Sequence, residues 1–341
     1  MINECHLFVD VYDFLEWLKS QTAADGFFTK GLAQSTIKTY SAGVKRYTAF
    51  CKRVGRAPLP TSEDLISGFV ATLAKDKLSY ASIRTYLSAI RHHQIACGHG
   101  DPGIFQMPRL EYVLKGIRKD EAHNQIVKRG RDRQPLTPQI LRRLFEVWKR
   151  YPVIRDAKML WAATTLAFFG FLRVGGFTSP ADTSFDKDVH LSLSDVSVDC
   201  SSAPKMLFVR LKQSKTDQLR QGVTIVLGRS EQFPLCPLSA MLSYLVVRGR
   251  STGPLFTWKD GVFLTRENFV AAVRKALEAA GMEALDFNGH SFRIGAATTA
   301  AARGMEDSMI KTIGRWQSDA YQRYVKIPRQ ELAYYTKILA S

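Results

Sequence analysis

No apolar run in the sequence is long enough to cross a bilayer. The most apolar stretch, 160–172 (LWAATTLAFFGFL), falls short of the roughly 20 residues that a spanning helix needs and contains Thr164 and Thr165. A membrane-spanning role is therefore not expected. The first residues, MINECHLFVDVYDFLEW, carry acids and lack the basic start and apolar core of a secretory leader, which argues against export. Cysteine is scarce. Cys5, Cys51, Cys97, Cys200 and Cys236 are odd in number, widely spaced and without CxxC or Cys/His ligand spacing, so neither a disulfide framework nor a metal site is expected. There is no repeat of fixed period and no low-complexity tract, which excludes solenoids and arrays. Acid, too, is in short supply. Against 31 Asp and Glu stand 48 Lys and Arg, a formal net charge of +17 over 341 residues. A polyanion is the leading partner class, nucleic acid ahead of a membrane surface.

The length favours two domains. The first third reads as helices, each with one apolar and one basic face. Ser35 opens a helix with Ile37, Tyr40, Val44, Tyr47 and Cys51 as its stripe, leaving Lys38, Lys45 and Arg46 largely off it. Thr61 and Asp64 resemble a capping box before Leu65, Phe69 and Leu73. Ser79 opens a third helix with Ile83, Leu87 and Ile90 inward and Arg84 and Arg91 outward, and a fourth runs through 110–119. The segment 115–134 is rich in base, including Lys128, Arg129 and Arg131, and reads as an interdomain linker; a solvated loop and a phosphate-tracking strand are about equally well supported by its composition.

The boundaries that follow are a helical domain over 1–114, a basic linker over 115–134 and a mixed domain over 135–341. In the last, Thr137 before Pro138 marks a helix start. MLFVRL (206–211) and VTIVL (223–227) form an antiparallel pair around a long polar loop, and helices follow over 266–280, 290–303, 306–315 and 329–340. The fold class expected is mainly α with a small antiparallel β-sheet.

Chemistry concentrates in the second half: FLRVGGF around Arg173, SKTD around Lys215, GHSFR with His290 and Arg293, and GRWQSDAYQRY with Trp316 and Tyr324. Cations, one histidine and one tyrosine, with no carboxylate pair, suit phosphate chemistry: arginines fork onto phosphate oxygens and a tyrosine can attack phosphorus. Each has a plainer reading. Arg173 can satisfy carbonyls at a helix end, Lys212 competes with Lys215, Trp316 alone is more often core, and Tyr321, Tyr334 and Tyr335 compete with Tyr324.

The order Arg, Lys, HxxR, Trp, Tyr, and above all the string GHSFRIGAATTAAARGMEDSMIKTIGRWQSDAYQRYV, resembles the catalytic domain of tyrosine recombinases, the phage integrase family, over about 137–330. The N-terminal strings STIKTYSAGVKRYTAFCKRVG and SYASIRTYLSAIRHHQIACG resemble that family's core-binding domain. GFLRVGGFT, SKTDQ and GRWQSDAY are similar to recombinases of eukaryotic mobile elements of the DIRS and Crypton kinds, from which a nuclear location would follow.

The resemblance implies that Tyr324 attacks the scissile phosphate to form a 3′-phosphotyrosyl bond, that Arg173 and Arg293 clamp the nonbridging oxygens and that Lys215 protonates the departing 5′-oxygen. It further implies that His290 assists proton transfer at the nucleophile, and that Trp316 donates its N–H or packs against the phosphate. No cofactor is implied. The partners implied are double-stranded DNA, closed upon by both domains, and further copies of the chain, as a tetramer assembled on DNA through the 329–341 tail. Lys38, Lys45, Arg46, Arg84, Arg91, Lys128, Arg129 and Arg131 are the candidate DNA-backbone contacts. The family carries an acid three residues after the first arginine, where this sequence has Gly176. That departure supports the alternative of a weakened or inactive DNA-binding descendant.

Overall fold

The computed structural model describes residues 24, 26–28, 30–127, 133–179, 185–199, 202–212, 221–250 and 252–325. Two compact units divide the chain, Met1–Gly130 and Arg131–Ser341.

The first unit is helical. α1 (Gln34–Arg53) starts one residue before Ser35, with Ala33 at the N-cap position, and buries Gly43, Tyr47, Phe50 and Cys51. Gly43 is needed where α1 meets a neighbour: a Cβ there would stand 3.0 Å from the Tyr86 ring and 3.2 Å from Ala89. α2 (Glu63–Lys75) is capped by Ser62 rather than Thr61. Thr61 is drawn elsewhere, its hydroxyl 2.5 Å from that of Tyr47 and its N–H donating to Gln94 Oε1. α3 (Tyr80–Ala96) begins at Ser79, whose hydroxyl accepts from the Ser82 N–H as the sequence implies. Ile66, Phe69, Ile83, Leu87 and Ile90 are wholly or almost wholly buried in the shared core, each worth about 1.5–3 kcal/mol of burial.

α4 (Pro108–Val127) corrects the linker: residues 115–127 are helical, not loop. No proline or glycine after Gly116 interrupts that stretch, and the Glu111–Lys115 pair one turn apart supports it. Charge alone is a poor sign of irregular backbone. Lys128, Arg129 and Arg131 lie outside the described residues.

In the second unit α5 (Pro138–Lys149) follows Thr137, whose hydroxyl accepts from Ile140, with proline at the first helical position. α6 (Ile154–Phe169) is almost entirely buried from Met159 to Phe168. β1 (Val196–Val198), β2 (Met206–Leu211) and β3 (Val223–Gly228) form an antiparallel sheet in that order, with Val196 opposite Val209 and Leu211 opposite Val223. Alternation sends Leu207, Val209, Leu211, Ile225 and Leu227 into the core. α7 (Pro237–Arg248), α8 (Arg266–Ala279), α9 (Ser291–Ala302) and α10 (Asp307–Gly314) complete the unit, with a short 3₁₀ turn over Asp319–Arg323.

The segment before α5 is laid along α9: the Gln134 N–H donates to Asp286 O and the Leu136 N–H to Ser291 O. Gly295 permits this contact, since a Cβ there would stand 1.9 Å from the Leu136 oxygen. Among the described residues no helix is long and apolar enough to cross a membrane, and no group of three or more His, Cys, Asp or Glu could hold a metal.

Candidate active site

The turns after α6 and α10 are brought together with the start of α9. His290 is the N-cap residue of α9 and Arg293 lies in its first turn, so the HxxR spacing presents both from one helix end. Arg293 is only 3% exposed. Its Nη1 donates to Phe171 O at 2.8 Å and its Nη2 to Gly314 O at 2.7 Å. The guanidinium carbon lies 4.0 Å from the Trp316 ring centre and 5.7 Å from that of Tyr324, and those two rings are 5.4 Å apart. Arg293 therefore lies over the Trp316 ring, with Tyr324 packed beside both. The Tyr324 backbone is fixed by Thr298, whose hydroxyl donates to its carbonyl.

Nε of Arg293 and Nε1 of Trp316 are buried and have no hydrogen-bond partner among the described residues. Buried donors are rarely left this way. Burial, with Arg173 and Arg315 nearby, holds the Arg293 guanidinium down to about 9, so it remains charged at neutral pH. Burial likewise pulls the His290 imidazole below its ordinary value, as do Arg133, Arg173, Arg266 and Arg293 around it. None of these arginines, nor Arg315, forms an ion pair among the described residues. For Arg293 and Arg315 the electrostatic compensation comes from carbonyls at the ends of α6 and α10, where helix dipoles are negative.

The rivals separate. Tyr321 is 2% exposed, packed on Trp316 with its ring under Lys311, and a hydrogen bond with Asp307 pushes its hydroxyl up. Tyr324 is half-buried beside the arginines. Lys212 is occupied: its ammonium lies 2.6 Å from a buried Asp195 oxygen and donates to Lys187 O, His190 O and the Ser192 hydroxyl. Lys215, Tyr334 and Tyr335 lie outside the described residues.

In the helical unit Lys38, Lys45 and Arg84 are exposed, the last lying over the Phe105 ring. Arg46 pairs with Asp76, and Arg91 holds Asp101 through two nitrogens. These two are salt-bridged surface groups in the absence of a ligand. The sequence reading missed Arg133, Arg266 and Arg315. The basic 128–133 segment held a signal for Arg133, whereas nothing local marks Arg266 or Arg315.

Residues 24–92 match the model of the phage integrase N-terminal SAM-like domain. An "integrase/recombinase xerD homolog" of Selenomonas ruminantium is 24% identical over 309 residues, 87% of this chain and 83% of its own. Tyrosine recombinase is the family in common. This chain is similar to that family, through its N-terminal domain and, at 24% identity, over most of its length. The recombinase fold extends over nearly the whole chain. XerH site-specific recombinase, in its post-cleavage complex with a palindromic difH substrate, superposes with a TM-score of 0.62 at 13% identity, over 92% of this chain and 82% of XerH. A lambda integrase tetramer bound to a Holliday junction gives 0.56 at 15%, over 94% and 78%. The Selenomonas ruminantium relative is bacterial, so the nuclear location expected from the mobile-element flavour finds no support.

Proposed function

We propose that this tyrosine recombinase cuts and rejoins DNA at specific sites, with Tyr324 as nucleophile. The observation that supports the assignment of the site is the packing of Arg293 on Trp316 and Tyr324, with, among the described residues, two buried N–H donors unpartnered and no carboxylate paired to the arginines. Such a pocket is electrostatically incomplete in a way that a phosphodiester remedies.

In the reaction, the Tyr324 oxygen attacks phosphorus while its proton passes to His290, held neutral by its surroundings. Arg173 and Arg293 stabilise the charge that grows on the nonbridging oxygens, and the Trp316 N–H donates to one of them. The bond to the 5′-oxygen breaks, Lys215 supplies that oxygen with a proton, and a 5′-hydroxyl is freed. One phosphodiester is exchanged for another, so the step requires no nucleotide hydrolysis. Attack by a 5′-hydroxyl of a second duplex reverses the step on a new partner, and a tetramer on two duplexes brings the four strands together. The same chemistry without exchange would make a DNA-binding descendant. Gly176 is the feature in its favour, and the complete set of reacting side chains opposes it.

The test uses nicked duplexes tiled across the DNA that flanks the coding sequence, with the nick placed so that religation is blocked. Wild-type protein forms a covalent adduct that survives denaturing electrophoresis, and Tyr324→Phe forms none. An adduct unchanged by Tyr324→Phe would remove the assignment of the nucleophile.

A further inference from the structure

α6 and α10 end alike, and both ends depart from the common pattern. In each, paired reverse hydrogen bonds close the helix: Phe171 N–H to Phe168 O with Leu172 N–H to Ala167 O, and Arg315 N–H to Thr312 O with Trp316 N–H to Lys311 O. This closure places one residue in the left-handed region, where glycine is the usual choice. Here that residue is Phe171 (φ 50°) in one turn and Arg315 (φ 56°) in the other.

A glycine does stand beside each, one position early, because it is needed there. A Cβ at Gly170 would lie 2.7 Å from Leu166 O, and one at Gly314 would lie 1.7 Å from the Trp316 ring. The strained position thus falls to a large side chain, at a cost of about 1 kcal/mol or more.

The Arg315 side chain crosses to the other turn. Its Nη2 donates to Gly170 O at 2.7 Å and its Nη1 to Ile313 O at 3.0 Å in its own turn. Arg293 spans the same gap from Phe171 O to Gly314 O, and the Phe171 ring meets the Trp316 ring edge-on. Arg173 follows Phe171 by two residues. Gly176, where the family's acid would stand, is exposed and has nothing within 4 Å of a Cβ built on it.

We infer that Arg315 is a positioning residue for DNA cleavage: by tying the Gly170–Phe171 turn to the Trp316 turn it sets the place of Arg173 against the phosphate, support that Gly176 has no side chain to give. Arg315, whose terminal nitrogens hold the two turns together, acts through Arg173. The inference rests on the recombinase reading of the site.

Arg315→Gly is the informative variant, because glycine relieves the left-handed strain and keeps the turn. The expected result is an unchanged or higher unfolding midpoint, DNA affinity within about twofold of wild type, and a single-turnover rate of adduct formation lowered on the order of 100-fold, the size of effect that a misplaced catalytic group produces. Arg315→Lys is impaired as well, since one ammonium replaces a fork that reaches two carbonyls. In an Arg173→Lys background Arg315→Gly adds little, as expected for a residue working through Arg173. Adduct formation at the wild-type rate by Arg315→Gly or Arg315→Lys, or full multiplicative loss in the double variant, overturns the inference and leaves the recombinase reading standing. Absence of any adduct with wild-type protein removes both.

Discussion

In the proposed reaction Arg293 and His290 owe their reactivity to what surrounds them more than to what they are. A guanidinium with both terminal nitrogens on backbone carbonyls keeps its full charge while its face and Nε remain inside the pocket. The four arginines near His290 disfavour its protonation, in the same direction as burial. The sign of the pH effect follows. The imidazole accepts a proton only when neutral, and its depressed pKa keeps it neutral at pH 7. Adduct formation therefore declines on acidification through a midpoint below the ordinary value of about 6.5, and His290→Gln removes that acidic limb along with much of the rate. An acidic limb that His290→Gln leaves unchanged would contradict the assignment of His290 as proton acceptor.

Among the elements, α9 carries a tight constraint against backbone. Gly295 lies against the Leu136 backbone, which is fixed by its own hydrogen bond to Ser291 O and has little room to move. Gly295→Ala is expected to lower stability by about 1–3 kcal/mol, read as a shift in the urea midpoint, whereas Gly176→Ala, with open space around its Cβ, leaves the midpoint nearly unchanged. Elements whose ends carry their own chemistry were legible in the sequence. Ser79 and Thr137 cap the helices that they precede, and the β-branched runs at 206–211 and 223–227 pair as read. α7 was not legible, because PLSAMLSYLVVR is apolar on too many sides to show a stripe and its cap position is held by Cys236. The three residues of β1 are too few to show alternation. Of the site, Arg293, Trp316 and Tyr324 were readable as an ordered set and the structure brings them into contact. Arg315 was not readable, since a bulky residue at a left-handed helix end leaves no sequence signature.

For the molecule as a whole the excess of base governs. A formal charge of +17 predicts binding dominated by phosphate contacts, with log Kd rising against log salt at a slope of several units, since each neutralised phosphate releases most of one counterion. Fluorescence anisotropy on a short duplex between 50 and 200 mM salt, roughly the range over which such binding weakens most visibly, measures it, and a nearly flat dependence would be inconsistent with this reading. The unpaired arginines give that charge a local meaning. In most buried clusters each guanidinium finds a carboxylate from the same chain, and the protein is electrically self-sufficient. Among the described residues Arg293 and Arg315 have only carbonyl oxygens as partners, so under the proposed function the scissile phosphate supplies the missing half of a salt bridge whose other half the protein holds in readiness. By linkage, whatever the phosphate gains from that site the fold gains as well: under the proposed function the second unit is more stable on DNA than off it, and letting go of DNA means returning to a state of internal repulsion.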